Sequence, residues 1–382
     1  MLTGVRVLIT NCWLQTPAGT EQYVRDLSAA LLRRGHEPVV FSPLLGQMAE
    51  QIQSLGVAVA DDLSSIAEPD ILHCHNHHET IAALTRFPDR PELFVQHGAT
   101  AWQDKTPLHP RLRRYVVVDE LCRQRTLAAG VPAESISLIA NGVDLDRFQP
   151  RDPLPASPRR AVVLSNYASD SNYVPTVQAA CERMGIELDV VGAAAGTSIT
   201  NPETVLSTYD LVFAKARAAA EGIAVGCAVV VTDASGLAGM ATSDVLRTWR
   251  TWNLGRALQT RVNDVDSLCA EIDRYSPDDA AACRDIARAE WSLEAMTDLL
   301  IAEYEQIVDD WDPASADHRA ELIALAAPLS RLGPLEAELE HARPHVEGFK
   351  DTVAAWRHEQ EQARAMRAQN EALKARVAEL EQ

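Results

Sequence analysis

The sequence predicts an α/β protein built from two Rossmann-like domains, each doubly wound around a parallel sheet, that face one another across a cleft. Short β-branched runs alternate with amphipathic stretches, which is typical of parallel sheets covered by helices. A proline- and charge-rich break at 149–160 is followed by a restart of the same pattern. The length of 382 residues suits two domains and an extension, at about 150 residues per domain.

The first predicted domain spans residues 1–150. A β-branched run over Val5–Thr10 predicts its first strand, and apolar residues at helical spacing predict a helix over Glu21–Arg34 that stops at Gly35. Six further strands are predicted at Pro38–Phe41, Val57–Ala60, Ile71–His75, Leu93–Gln96, Tyr115–Val118 and Ile136–Ala140. Ligands are expected at the carboxyl ends of these strands.

The second predicted domain spans 151–310, and its pattern becomes purely helical after about residue 275. Its predicted strands are Ala161–Ser165, Leu188–Val191, Leu211–Phe213 and Val229–Thr232. A helical linker over 311–348 is expected to lead to a coiled coil over 349–382, where a heptad register places Leu373, Val377 and Leu380 on one apolar seam. Asn370 on the same seam favours a parallel homodimer, and the alternatives are a single charged helix or pairing with a helix of another protein.

Composition excludes several classes of function. The net charge of −19 argues against a nucleic-acid-binding role. Seven scattered cysteines favour reduced thiols, and neither a leader nor an apolar run of about 18 residues is present. We therefore expect a cytoplasmic protein, with a peripheral contact at the inner face of the membrane left open. A cationic stretch (Lys105 and Arg111–Arg114) could serve such a contact or an acidic acceptor, or could be a solvated loop.

Candidate functional residues in the first domain follow predicted strands. Gly19 lies in the turn before the first predicted helix, where free N–H groups could bind an anion, but a simple turn glycine is the reading that the residue alone favours. His97 follows a strand and could donate a hydrogen bond to a sugar hydroxyl or leaving group, or simply cap a turn. His73, His75 and His77 share one face of the predicted strand; we expect a buried strand end there and no metal site.

Two further motifs are candidates. Asn141-Gly142 closes the first domain and reads as a turn with positive φ. Glu221 is predicted at a helix start, where a carboxylate could accept both hydroxyls of a ribose or could merely complement the helix dipole.

Taken in order, these segments resemble the family-4 retaining glycosyltransferases of the GT-B fold. The residues that carry the likeness are 17–24, 34–40, 70–75, Val95–Gly98, Gly130–Pro132, Leu138–Pro150, Tyr209–Leu211 and Glu221–Val231. The resemblance covers roughly residues 4–305. It implies transfer of a sugar from a nucleotide-diphosphate donor with retained configuration, without a metal or other cofactor.

The resemblance also implies residue roles. Gly19 would offer its amide to the diphosphate, His97 would contact the transferred sugar, Glu221 would hold the ribose, and Asn141 would belong to the donor side. The family's Arg and Lys are absent from the stretch 165–172, and its first glutamate is Phe213 here. A departing diphosphate needs positive charge, and Lys215 and Arg217 are the nearest candidates to supply it.

Three functions remain open on the sequence. The first is an active transferase that uses a nucleotide sugar and a sugar, lipid-linked or protein acceptor. The second is a non-catalytic GT-B scaffold that binds a sugar or a protein partner, which the missing cations favour. The third is a sugar-nucleotide epimerase, which would need more acid/base residues than the cleft offers.

Overall fold

A computed structural model describes residues 4–197, 199, 201–312 and 317–344. The chain forms two compact units, Met1–Asp317 and His318–Gln382. The first unit contains two sheets, which confirms the predicted pair of α/β domains. The predicted linker over 311–348 falls partly in the second unit, and the predicted coiled coil over 349–382 lies outside the described residues.

The first domain is built on a seven-stranded parallel sheet of order β3-β2-β1-β4-β5-β6-β7. Its strands are β1 (Arg6–Thr10), β2 (Glu37–Phe41), β3 (Ala58–Ala60), β4 (Ile71–His75), β5 (Glu92–Gln96), β6 (Arg114–Val117) and β7 (Ile136–Leu138). Its helices are α1 (Gly19–Arg33), α2 (Gln47–Ser54), α3 (His77–Arg86) and α4 (Glu120–Ala128). The strand order reverses between β1 and β4, so the loops at their carboxyl ends border a ligand-binding crevice.

The second domain has a five-stranded sheet of order β12-β11-β10-β8-β9. Its strands are β8 (Arg160–Leu164), β9 (Glu187–Val191), β10 (Leu211–Ala214), β11 (Ala228–Asp233) and β12 (Gly236–Met240). Its helices are α5 (Val174–Met184), α6 (Glu203–Leu206), α7 (Ala216–Val225), α8 (Leu246–Arg250), α9 (Val265–Ile272) and α10 (Pro277–Glu290).

Sequence analysis missed β12, the only antiparallel strand of the second sheet in the described residues. Gly236 and Gly239 interrupt it with φ values of 144° and 127°, which weakens its strand pattern. A Cβ atom at Gly236 would lie 2.7 Å from the carbonyl oxygen of Arg261. The glycines are therefore required by close backbone approach at the sheet edge.

Helix α11 (Leu293–Asp309) leaves the second domain and packs on α1, in the core of the first. Val143 pairs with Ser292 where the two crossing segments meet. A Cβ atom at Gly142 would lie 2.6 Å from Cα of Leu293, so glycine is required by this crossing. The predicted positive-φ turn at Asn141-Gly142 is wrong, because neither residue has positive φ.

The second unit is described through residue 344. It contains α12 (His318–Leu329), and residues 332–344 are also helical. Among the described helices, none is both long and apolar enough to span a bilayer.

Candidate active site

A cleft lies between the two domains of the first unit. It is lined by the β1–α1 loop, the start of α1, the segment after β7, the β8–α5 loop, and the start of α7. Its empty volume, with the open mouth included, is about 960 Å3. The side-chain amide of Asn166 donates to the carbonyl of Pro17 at 2.9 Å and joins the two walls.

The cleft collects four of the six predicted site residues: Gly19, Lys215, Arg217 and Glu221. The other two predicted site residues, Asn141 and His97, do not line the cleft. The 165–172 stretch, which lacks the family's cations, contributes Ser165, Asn166 and Tyr167 to the wall. Phe213, which stands where the family has its first glutamate, is fully buried in the second domain's core. It therefore does not replace that glutamate as a polar group of the cleft.

Gly19 begins α1, so the free N–H groups of that helix's first turn face the cleft. The preceding residue, Ala18, has no polar side chain with which to cap the helix. A Cβ atom at Gly19 would meet no heavy atom of the described residues within 4 Å. The glycine is therefore not demanded by packing, and its small size leaves the helix end open to a ligand.

The start of α7 has a strained backbone. Ala216 has a φ of 48°, and its N–H donates to the carbonyl of Leu254 at 2.8 Å. Asn253 and Leu254 have φ values of 50° and 52°. Positive φ in residues other than glycine costs free energy and is concentrated at functional sites. This strained segment lies between Lys215 and Arg217, which both line the cleft.

Both predicted cations are at the cleft, but each is already paired. The ammonium of Lys215 forms an ion pair with Asp233. The guanidinium of Arg217 donates to Asp26 through Nη2 and to Oε1 of Glu221 through Nε, at 2.7 Å in the latter case. Burial opposes the charge of Arg217, yet Asp26 and Glu221 outweigh it and raise its pKa.

Glu221 lies in the second turn of α7, which corrects its predicted place at the helix start. The carboxyl is buried, and burial raises its pKa although Arg217 favours ionisation. Its contact with Arg217 shows that complementing the helix dipole is not its main interaction in this structure.

Sequence analysis missed the residue at the centre of this site, Asp26 on α1. Its carboxylate pairs with Arg25 at 2.8 Å, with Arg147 at 3.1 Å, and with Arg217. Arg147 also pairs with Glu203 at 2.9 Å. We call the six residues the charge cluster: Arg25, Asp26, Arg147, Glu203, Arg217 and Glu221.

A signal for Asp26 was present in the sequence. Tyr23, Asp26 and Ala30 are spaced by three and four residues, so Asp26 falls on the buried stripe of α1. A carboxylate there requires a partner. Burial alone would raise the pKa of Asp26, but Arg217 and Arg147 outweigh it and hold the pKa below its usual value.

A second cluster lies on the first domain, at the carboxyl ends of β4 and β5. The rings of Tyr23 and His75 each lie 4.6 Å from that of His97, centroid to centroid. The Nε2 atoms of His73 and His75 are hydrogen bonded at 2.9 Å, and the hydroxyl of Tyr304 lies 2.6 Å from Nδ1 of His73. We call these five residues the ring cluster.

Burial keeps the histidines of the ring cluster neutral. It lowers the pKa of His73 to about 3, with help from His97, and the pKa of His97 to about 3. His75 is lowered well below its usual pKa for the same reason. The His97 ring is partly exposed by surface area, but its Nε2 is buried and has no hydrogen-bond partner among the described residues.

His77 does not share the strand face with His73 and His75, because it begins α3 after the strand has ended. Its Nδ1 lies 3.2 Å from the carbonyl oxygen of Lys105 instead. In the part of the chain that the structure describes, no group of His, Cys, Asp or Glu side chains is arranged to hold a metal ion.

Asn141 lies at the domain crossing. Its carbonyl accepts from the guanidinium of Arg250, which also stacks 4.8 Å from the centroid of the Trp291 ring. Burial lowers the pKa of Arg250 to about 10. Oδ1 of Asn141 is buried and has no hydrogen-bond partner among the described residues. Its contacts join the two domains.

The cationic stretch at 111–114 is not a continuous surface patch. Arg111 is buried and donates to the carbonyls of Leu84, Phe87 and Pro88. Arg114 pairs with Glu303 of α11 at 3.0 Å. Lys105 and Arg113 are exposed, so only part of the stretch presents its charge at the surface.

The two facing Rossmann-like domains and the return of α11 define a GT-B fold, which confirms the sequence prediction. Residues 17–147 match the family model of Glycosyltransferase Family 4. The fold and this match confirm the predicted resemblance to family-4 glycosyltransferases. A search among curated protein sequences finds no match.

Solved structures of HepE from Anabaena have a similar fold. The HepE complex with UDP and glucose has a TM-score of 0.58 at 13% identity, over 79% of this chain and 99% of that one. The HepE complex with UDP-glucose has a TM-score of 0.58 at 12% identity, over 79% of this chain and 100% of that one. At such low identity the likeness concerns the fold.

Proposed function

We propose that this protein is a retaining glycosyltransferase that moves a sugar from a nucleotide-diphosphate donor to an acceptor without a metal ion. The observation that carries the proposal is the cleft, in which the open N-terminus of α1 at Gly19 faces Lys215, Arg217 and Glu221 of the other domain. Helix N-termini and cations bind phosphate, and a buried carboxylate can accept hydroxyl hydrogen bonds.

In this proposal each group acts at a different part of the donor. The amide of Gly19 and the cations Lys215 and Arg217 contact the diphosphate, and Glu221 contacts the ribose. His97 contacts the sugar near its reacting carbon. The bond from that carbon to the diphosphate breaks, a bond to the acceptor oxygen forms on the same face, and the acceptor proton leaves with the diphosphate. Cations near the leaving oxygen stabilise its charge.

Incubation with a panel of nucleotide sugars tests the proposal. UDP-glucose is a reasonable first member, because HepE, which has a similar fold, was crystallised with it. We expect slow hydrolysis of at least one donor, to free sugar and nucleoside diphosphate. An epimerised donor would instead indicate a sugar-nucleotide epimerase.

A non-catalytic GT-B scaffold is the second candidate function. It is favoured by the pairing of Lys215 with Asp233 and of Arg217 with Asp26 and Glu221. Binding of a nucleotide sugar with no turnover, in the presence of sugar, lipid-linked and protein acceptors, would support this alternative. For the transferase, we propose a cytoplasmic location; co-sedimentation with anionic vesicles tests for a peripheral membrane contact.

We also propose a parallel homodimer formed through the coiled coil predicted at 349–382. The apolar seam at Leu373, Val377 and Leu380 supports this, because one helix alone cannot bury it. Light scattering should give a dimer mass for the full chain and a monomer mass for a chain ending at Leu332. Two monomers, or two dimers, would contradict the proposal.

A further inference from the structure

Asp26 touches both arginines that line the cleft, and these come from different parts of the chain. Arg147 lies in the segment that joins the domains, and Arg217 lies on α7 of the second domain. Asp26 itself lies on α1 of the first domain, beneath the lining, with 2% of its side chain exposed. One buried carboxylate thus gathers guanidinium groups from both walls of the cleft.

The charges around the cleft cancel within the described residues. The cations are Arg25, Arg147, Lys215 and Arg217, and the carboxylates that pair with them are Asp26, Glu203, Glu221 and Asp233. A phosphate-bearing ligand therefore enters a cleft in which each lining cation already has a carboxylate partner. Binding must weaken at least one of these pairs.

We propose that Asp26 is an internal counter-ion that competes with the phosphates of the ligand for Arg147 and Arg217, and so limits the affinity of the cleft for anions. This inference rests on the proposed function only for the identity of the anion. Weak binding of the diphosphate product favours its release, and product release is required for turnover.

Asp26 is better placed for this role than the other carboxylates. Glu203 has 16% of its side chain exposed and contacts Arg147 alone, so it can turn towards solvent when a ligand arrives. Glu221 lines the cleft and contacts Arg217 alone within the cluster. Asp26 cannot turn towards solvent because it is buried, so its charge stays beside both arginines. Charges in a partly buried site are weakly screened, so its repulsion of a phosphate persists.

The test replaces Asp26→Asn, which keeps the shape of the side chain and removes its charge. Arg217 retains Glu221 and Arg147 retains Glu203 in this variant, so neither arginine is left without a partner. Calorimetric titration with inorganic pyrophosphate and with UDP should show binding about tenfold tighter than in the wild type. Binding of uridine, which carries no phosphate, should not change.

Asp298→Asn is the matched control. It removes a carboxylate that pairs at 2.7 Å with Arg34, the residue that follows α1, but Asp298 has 68% of its side chain exposed and does not line the cleft. We expect no change in pyrophosphate or UDP binding. An equal gain in both variants would overturn the proposal, because the effect would then be one of overall charge.

Unchanged or weaker pyrophosphate binding in Asp26→Asn would also overturn it, since Asp26 would then merely hold the arginines in place. If this variant does not fold, Glu203→Gln is the second test: Asp26 still pairs with Arg147 in that variant, so pyrophosphate binding should stay within about twofold of the wild type. A tenfold gain there would overturn the proposal, because Glu203 and not Asp26 would then be the carboxylate that limits affinity. Pyrophosphate makes the outcome independent of the proposed function. If no nucleotide binds but pyrophosphate binds more tightly to the variant, the function is wrong and the inference stands.

Discussion

The ring cluster and the charge cluster represent two ways of placing polar groups in a protein interior. His73 and His75 are carried by β4, and His97 follows the neighbouring strand β5. The parallel register of these strands sets the distances between their rings. The charge cluster instead joins α1, the domain connection and α7. Its geometry exists only while the two domains face each other.

The two clusters also differ in whether their buried side chains keep their charge. The histidines lose their charge, because burial lowers the pKa of His73 and His97 to about 3. Asp26 and Arg217 keep their charges, because each is paired with the other. The two clusters therefore suit different parts of a ligand. Neutral rings suit contact with an uncharged sugar, and paired charges suit an anion that can replace a carboxylate as the partner of an arginine.

The largest expected effect comes from the ring cluster. His97→Ala should lower kcat by about 100-fold and change donor affinity by less than about threefold, because the residue is proposed to act at the sugar and not at the phosphates. Steady-state kinetics and a donor titration measure the two quantities. The control is His78→Ala, which makes the same substitution at an exposed ring outside the cluster.

Activity within a factor of two of the wild type would make His97 a turn residue only. Equal losses of donor affinity and kcat would also contradict the prediction. The ring cluster would then act, like the charge cluster, in binding the phosphates of the donor.

The next effect comes from the charge cluster and its neighbour. Lys215→Ala combined with Arg217→Ala should weaken nucleotide-sugar binding by at least about tenfold, because charge-assisted contacts to phosphate are strong. Titration of the donor measures this. Arg183→Ala combined with Arg247→Ala is the control, since both arginines are paired at the surface of the same domain. Unchanged affinity in the cleft variant would remove both cations from the donor site.

The fold was predictable because its strands are local apolar runs. The sequence predicts β4 over Ile71–His75, which is its observed extent, since the apolar residues Ile71, Leu72 and Cys74 indicate a buried strand and a polar run follows at 76–78. Strand β12 could not be predicted in this way. Its two glycines are explained by neighbours from distant parts of the chain, Arg261 and Glu271, that a local pattern does not contain.

The site was predictable in part for a similar reason. Gly19 and His97 could be placed near the carboxyl ends of strands because both follow strands of a parallel sheet, and their proposed roles stay predictions. The pairing of Arg217 with Asp26 joins residues 191 positions apart and depends on how the domains meet. The pairing of Lys215 with Asp233 and of Arg217 with Asp26 is not visible in the sequence, because both carboxylates come from other elements, whereas Glu221 lies four residues from Arg217 on α7.

The last effect is on stability and not on activity, and it is a dependence on pH that distinguishes the clusters. Between pH 6.5 and about 3, the unfolded chain protonates histidines that remain neutral in the folded ring cluster. The unfolded state thus binds more protons, and stability from each ring falls as the pH falls, by up to about 1.4 kcal/mol per pH unit. His97→Ala should therefore lose stability less steeply than His78→Ala over this range, as measured by urea unfolding. Parallel slopes, or imidazole NMR signals of His73 that titrate near pH 6.5, would show that the ring cluster is not a neutral site.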